Sequence, residues 1–211
     1  MEESTSREKV LKKIREALLH KTDNPFQHFD IDTPVYTKTH EIMDVNFAEV
    51  FNNLGGVFIY CESEVELTAA LAGLIKECNW DKMVCKHPAI QFILNSISAT
   101  YTDDDSIIDS SFVSIVNCKY LLSQTGSIVL SSEYGTKIFS IPDTLVVVAY
   151  TNQLTDSLTQ MFSEISQNKD IYNSQLTIIT GTGSINPTGN TYINQGVAPN
   201  NLFLILVEAN H

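Results

Sequence analysis

Two stretches of this 211-residue sequence hold residue types that can do chemistry. Residues 175–199 read "QLTIITGTGSINPTGNTYINQGVAP", a β-branched run passing into four glycines and two prolines. A glycine-rich turn after a strand lets backbone N–H groups approach an anion closely. Gly181, Thr182, Gly183, Ser184 and Asn186 therefore form one candidate ligand loop, and Asn186-Pro187 has the form of a helix cap with proline at the first position. The loop is not a dinucleotide fingerprint, because the third glycine of G-x-G-x-x-G would have to stand at Asn186, and no Gly-Lys-Ser/Thr follows to make a P-loop. The second stretch, "SQTGSIVLSSEYGTK" from Ser123 to Lys137, places Gln124, Thr125, Gly126 and Ser127 in a polar turn between apolar runs. It then brings Glu133 and Lys137, an acid and a base, to either side of Gly135. Lys137 with the hydroxyls and backbone N–H groups suits a small carboxylate or phosphate. Glu133 is the catalytic candidate, a carboxylate able to act as a nucleophile. The plainer alternative is that both stretches are tight turns whose polar atoms satisfy their own backbone. If they form a site, Gln124, Thr125, Ser127, Lys137 and the 181–186 loop share one cleft.

Metal and redox chemistry find little support. Cys61, Cys78, Cys85 and Cys118 make no C-x-x-C pair, and the five histidines make no H-E-x-x-H. Cys85-Lys86-His87 offers two ligands at most, which is too few for a zinc site. Asp103-Asp104-Asp105 reads as a solvated turn, because adjacent carboxylates in a loop seldom converge on one ion. No metal and no cofactor are expected.

Elements that could position these residues follow from the patterning. The chain is 43% hydrophobic and 18% charged, enough to bury one sizeable core. Its formal net charge of -12 repels phosphate backbones and anionic lipid, so nucleic acid and membrane are not expected partners. The start "MEESTSREKVLKK" lacks the apolar run of a secretory signal, which points to the cytoplasm. The longest apolar runs, Leu145–Tyr150 and Leu202–Val207, are too short to span a bilayer and read as buried strands.

Thr5-Ser6-Arg7-Glu8 has the form of a capping box and opens an amphipathic helix to about His20, followed by a proline-bearing linker. Residues 1–45 thus form a helix and extended linker, and residues 46–211 the main domain. There, Asn46–Leu54 reads as a short helix and "VFIYC" as a buried strand. A second capping box at Ser63–Glu66 opens the helix "LTAALAGLIKEC", and a strand at Lys82–Cys85 completes a βαβ unit. His87–Ser96 gives another helix, the β-branched stretch to Tyr150 three or four strands, and Asn152–Ile165 a further helix. Helices interleaved with fully apolar strands predict an α/β fold: a mostly parallel sheet with helices on both faces and its ligand site at strand ends.

"LLSQTGSIVLSS", "KIFSIPDTLVVVAYTNQL", "IITGTGS" and "GVAPNNLFLILV" resemble, in order and spacing, the lactate-utilisation (LUD) domain family. The resemblance covers roughly residues 46–208, and "REKVLKKIREAL" is similar to the family's leading helix. It implies a sugar-phosphate isomerase and CoA-transferase-like fold, and a role beside iron–sulfur proteins of lactate oxidation. The family's Thr-Gly-Thr/Ser turn matches Thr125, Gly126 and Ser127, and its basic residue before a proline matches Lys137 before Pro142. Its Arg and Asp in the glycine loop are replaced by Ser184 and Pro187, and its Gly-Val-His-Gly-Pro by Gly196-Val197-Ala198-Pro199, without the His. The resemblance therefore implies an accessory or small-anion-binding protein of organic-acid metabolism with no redox centre of its own. Its partners would be the iron–sulfur proteins, a small carboxylate or phosphate, and a second copy in a homodimer. Two alternatives stand beside it: an enzyme in the CoA-transferase manner, since Ser132-Glu133-Tyr134-Gly135 resembles those enzymes' Ser-Glu-Asn-Gly turn, and a non-catalytic interaction scaffold.

Overall fold

A computed structural model describes residues 43–167, 175–182 and 198–209. The leading helix and linker, and Gly183, Ser184 and Asn186 of the glycine loop, lie outside the described residues.

Five strands make a parallel sheet in the order β1-β9-β6-β3-β2: β1 (Val57–Cys61), β9 (Asn201–Val207), β6 (Thr144–Tyr150), β3 (Val113–Asn117) and β2 (Met83–Val84). Their β-branched runs suit strands buried on both faces. Alternation divides the side chains: Leu145, Val147 and Ala149 of β6 enter one core cluster, Val146 and Val148 the other. The second cluster is closed by α2 (Glu64–Glu77), through Leu67 and Leu71, and by α3 (Pro88–Ser96), through Ile90 and Leu94. Ser63 starts α2 as the sequence predicts, its side chain accepting from the Glu66 N–H. Glu66 reaches back to the Glu62 N–H at 2.8 Å.

The opposite face is covered differently. Helix α1 (Met43–Asn53) contributes Phe47 and Phe51, and the short α4 (Lys137–Ser140) contributes Ile138 and Phe139. Between them packs a second sheet, β7-β4-β5-β8, built from β4 (Tyr120–Leu122), β5 (Ser127–Ser131), β7 (Leu154–Thr155) and β8 (Leu176–Thr180). β5 runs antiparallel to both β4 and β8. Leu121, Ile128, Leu130 and Ile179 face the main core, whereas Leu122 and Val129 face Met161 and Ile165 of α5 (Leu158–Gln167). The order of layers is thus helices, parallel sheet, second sheet with α1 and α4, then α5.

The sequence predicts one sheet, and the structure resolves the middle strands into two. Periodicity shows that a strand is buried but not which sheet holds it. The helix expected from Asn152 starts instead at Leu158, because Leu154 and Thr155 pair in parallel with Leu121 and Leu122. α1 begins at Met43, three residues before the expected boundary.

Candidate functional site

Parallel strands deliver the residues that follow them to one end of a sheet, and a crevice opens where neighbouring connections leave toward opposite faces. One such point lies between β2 and β3. The chain leaving β2 turns to α3 on the helical face, and the chain leaving β3 turns to β4 on the other. Thr102 extends the edge by a parallel bridge to Val84, so Asp103, Asp104 and Asp105 emerge at the same end as Lys86 and His87.

An open cleft of ≈ 570 Å³ lies there, lined by Lys86, Gln91, Asp103, Glu133, Tyr134 and Gly135. Lys86 pairs with Asp105 at 2.9 Å. Lys119, two residues beyond β3, pairs with Glu133 at 3.1 Å. Glu133 is carried by a 3-10 turn, Ser132–Tyr134, in which the Glu133 N–H donates to the Ser131 hydroxyl and which ends at Gly135 with φ 91. The Lys86 hydrogen bond holds the Asp105 carboxyl below its ordinary range, and Lys137 acts on it in the same direction. Three lysines and four carboxylates, Asp103, Asp104, Asp105 and Glu133, therefore share the cleft and its rim. His87 stands against Tyr134, ring centroids 5.4 Å apart and edge-on. Burial lowers its pKa, with Glu133 opposing and Lys119 reinforcing.

The remaining strand ends are acidic. Over β1, β9 and β6 the Tyr60 hydroxyl donates to Glu208 and the Tyr150 hydroxyl donates to Glu64 at 2.6 Å. Glu62 and Glu66 follow β1. The Glu208 hydrogen bond is the main cause that pushes Tyr60 up to about 12, whereas burial leads for Tyr150, also about 12. An anion drawn to this end of the sheet meets repulsion over β1, β9 and β6 and cations over β2 and β3.

The sequence-derived candidates divide between two places. Gln124, Thr125, Gly126, Ser127, Gly181 and Thr182 do come together, at the start of β5 and the end of β8. Their polar atoms are occupied. The Gln124 N–H donates to the Asp156 carbonyl at 3.1 Å and its amide to the Asp156 carboxylate at 3.2 Å. The Ser127 hydroxyl lies 2.7 Å from both the Thr125 and Thr180 hydroxyls, and the Thr182 N–H donates to the Leu54 carbonyl. Gly126, at φ 59, leaves only 2.9 Å between a would-be Cβ and the Phe51 nitrogen. This turn packs β5 onto α1. Glu133 and Lys137 belong instead to the switch-point cleft, beyond the far end of β5, about 13 Å along the strand from Ser127. Among the described residues Glu133 and Lys137 thus lie apart from the Gln124–Ser127 turn, while Gly183, Ser184 and Asn186 of the expected cleft lie outside them.

Lys86, His87, Asp105, Lys119 and Tyr134 are functional candidates that pattern reasoning passed over. In sequence, Cys85-Lys86-His87 reads as two metal ligands at most and Asp103-Asp104-Asp105 as a solvated turn rather than an ion site. The available signal was positional: both follow segments that run parallel into one sheet end. Among the described residues no group of three or more His, Cys, Asp or Glu side chains could hold a metal ion, and no helix is long and apolar enough to cross a membrane.

The fold has a structural relative. A crystal structure of a DUF162 family protein from Deinococcus radiodurans superposes with a TM-score of 0.60 at 17% identity, covering 78% of this chain and 96% of that one. Likeness at that identity concerns the fold alone, which is α/β with a mostly parallel sheet flanked by helices. No protein-family model matches the sequence, and no curated protein does.

Proposed function

We propose that the protein binds a small organic anion in the cleft at the carboxyl ends of β2 and β3. One observation carries this reading: Lys86, Lys119 and Lys137, three of only 13 Lys and Arg residues in a chain of net charge -12, gather where the fold places ligands. Asp105 and Glu133 hold Lys86 and Lys119 in position, and a bound carboxylate or phosphate competes for the same ammonium groups. DUF162 is the lactate-utilisation (LUD) family, so the structural neighbour and the sequence resemblance agree in making organic acids the first ligands to try. In this reading the protein is an accessory of organic-acid utilisation, working beside iron–sulfur lactate-oxidation proteins.

Calorimetric titration of lactate, pyruvate and phosphate against the wild type, Lys119→Ala and Lys137→Ala tests it. Binding in the wild type that weakens about tenfold in either variant supports the cleft, since one charge-assisted hydrogen bond is worth about 1.5 to 3 kcal/mol. No binding of any of the three sinks it.

One observation favours a second reading. Glu133, the nucleophile candidate, sits inside this cleft on a short turn ending in glycine, beside a lysine and a histidine. In acyl transfer the carboxylate would attack a thioester carbonyl, form an acyl–carboxylate anhydride and expel the thiolate. Release of thiol from an acyl thioester in the presence of an acceptor carboxylate, abolished in Glu133→Gln, distinguishes this enzyme from a binding protein.

A further inference from the structure

His87 introduces α3 from the cap position, but its side chain does not cap the helix. Its Nδ1 atom is buried and has no hydrogen-bond partner among the described residues. A buried donor without an acceptor is rarer in folded proteins than a buried acceptor without a donor. The proton therefore belongs on Nε2, leaving Nδ1 a bare lone pair. The ring cannot readily take a second proton, because that proton would have to enter the buried, unpartnered side. The groups around it are the Tyr134 ring, the Glu133 carboxylate, the Lys119 ammonium and, on its own segment, the Cys85 thiol, which burial holds up to about 11. The cleft and its rim meanwhile carry Lys86, Lys119 and Lys137 against Asp103, Asp104, Asp105 and Glu133, so the acids outnumber the bases and a neutral imidazole adds no cation.

We infer that His87 is the cleft's neutral hydrogen-bond donor, held as the Nε2–H tautomer, and that the anion bound with its help is singly rather than doubly charged. This rests on the anion-binding reading above and names its ligand's charge class. A monoanion needs only one ammonium and the neutral donor, which limits its repulsion from the four carboxylates. A dianion meets the same carboxylates, and two of the ammonium groups that could offset its second charge are already paired, Lys86 with Asp105 and Lys119 with Glu133.

The experiment uses full-length protein and two probes, acetate and inorganic phosphate. Nitrogen-15 spectra of the imidazoles, with the His87 signal assigned by its loss in His87→Gln, report tautomer and charge without any ligand. Between about pH 6.5 and pH 8.5 phosphate passes from a mixture of singly and doubly charged forms to the dianion, while acetate stays a monoanion. The expected spectrum is a neutral Nε2–H imidazole throughout that range, with acetate affinity flat and phosphate affinity falling several-fold. A glutamine amide nitrogen can occupy the place of Nε2 and an asparagine nitrogen that of Nδ1, so His87→Gln should keep acetate binding within about threefold. His87→Asn should lose about tenfold. A proton on Nδ1, an imidazolium at pH 7, acetate weakening in step with phosphate, or equal affinities in the Gln and Asn variants each overturn the proposal. If the wild type binds neither probe, and neither lactate nor pyruvate, the anion-binding reading fails; if it binds lactate or pyruvate but neither probe, this role alone fails, while the spectrum in either case decides the tautomer.

Discussion

Lys119 Nζ lies 3.1 Å from Glu133 Oε2, tying the residue that leaves β3 to the turn that leaves β5. Both side chains are partly exposed, 37% and 49%, so the pair contributes well under about 1 kcal/mol to stability. Its importance is to ligand binding. Glu133→Gln removes the carboxylate that competes for Lys119, and acetate should bind about threefold more tightly with the unfolding midpoint unchanged. Calorimetry and a urea titration check both halves, and weaker acetate binding would mean that Glu133 itself contacts the ligand.

Gly126 is explained by packing. Its φ of 59 and the 2.9 Å separation between a would-be Cβ and the Phe51 nitrogen leave no room for a side chain, and the atom in the way is backbone, which cannot rotate aside. Gly126→Ala should cost about 2 kcal/mol, from left-handed strain and displacement of α1. Chemical denaturation measures it. An alanine variant of native stability would show that α1 is not seated on this turn.

These two positions also show what the sequence discloses and what it hides. Gly126 was identifiable from its Thr-Gly-Ser context, but a glycine needed for anion approach and one needed for helix approach look alike without the partner's position. Strands β1, β6 and β9 of the parallel sheet were legible because each holds an uninterrupted apolar run of five or six residues. The division into two sheets was not, since Val129 and Val147 have the same chemistry and differ only in which layers they face. The switch-point cleft assembles Lys86, Asp105, Lys119 and Glu133 from four separate connections. Only the strand order brings them together.

Leu204 of β9 is fully buried between β1 and β6, on the face that receives α1 and the second sheet. Leu204→Ala should destabilise the protein by about 2 to 5 kcal/mol through lost burial and a residual cavity. An exposed position such as Phe92, 78% accessible on α3, should tolerate alanine within about 0.5 kcal/mol. Thermal or urea denaturation of the pair tests whether the two-sided core is as drawn.

Stability should respond to pH through His87. Its folded pKa lies below the ordinary 6.5, chiefly by burial, so the unfolded chain binds a proton where the folded one does not. The contribution is fully present above pH 6.5 and is lost as pH falls from there through the lower folded value. His87→Gln should flatten that limb. A second, more acidic limb comes from Asp104, Asp105 and Asp109, held below 3.8 by hydrogen bonds from Ser106, Lys86 and Ser111 respectively. Their contribution is present above 3.8 and lost as pH falls through their folded values. Denaturant midpoints from pH 8 downward, compared between wild type and His87→Gln, check the assignment, and identical curves would show that His87 titrates as it does in the unfolded chain.

The four cysteines should react unequally. Cys78 caps the end of α2 in an exposed position, whereas Cys61, Cys85 and Cys118 are buried. Burial holds the Cys85 thiol up to about 11 and the Cys118 thiol up to about 12, so neither supplies thiolate at neutral pH. Burial, aided by Glu66, raises Cys61 as well. A chromogenic disulfide reagent should therefore titrate one thiol quickly in the native protein and four in denaturant. Fast loss of a second thiol would place Cys61 or Cys85 in contact with solvent at the strand ends. If that thiol were Cys85, the wall behind His87 would be open, and the argument for a buried, unprotonated Nδ1 would fail with it.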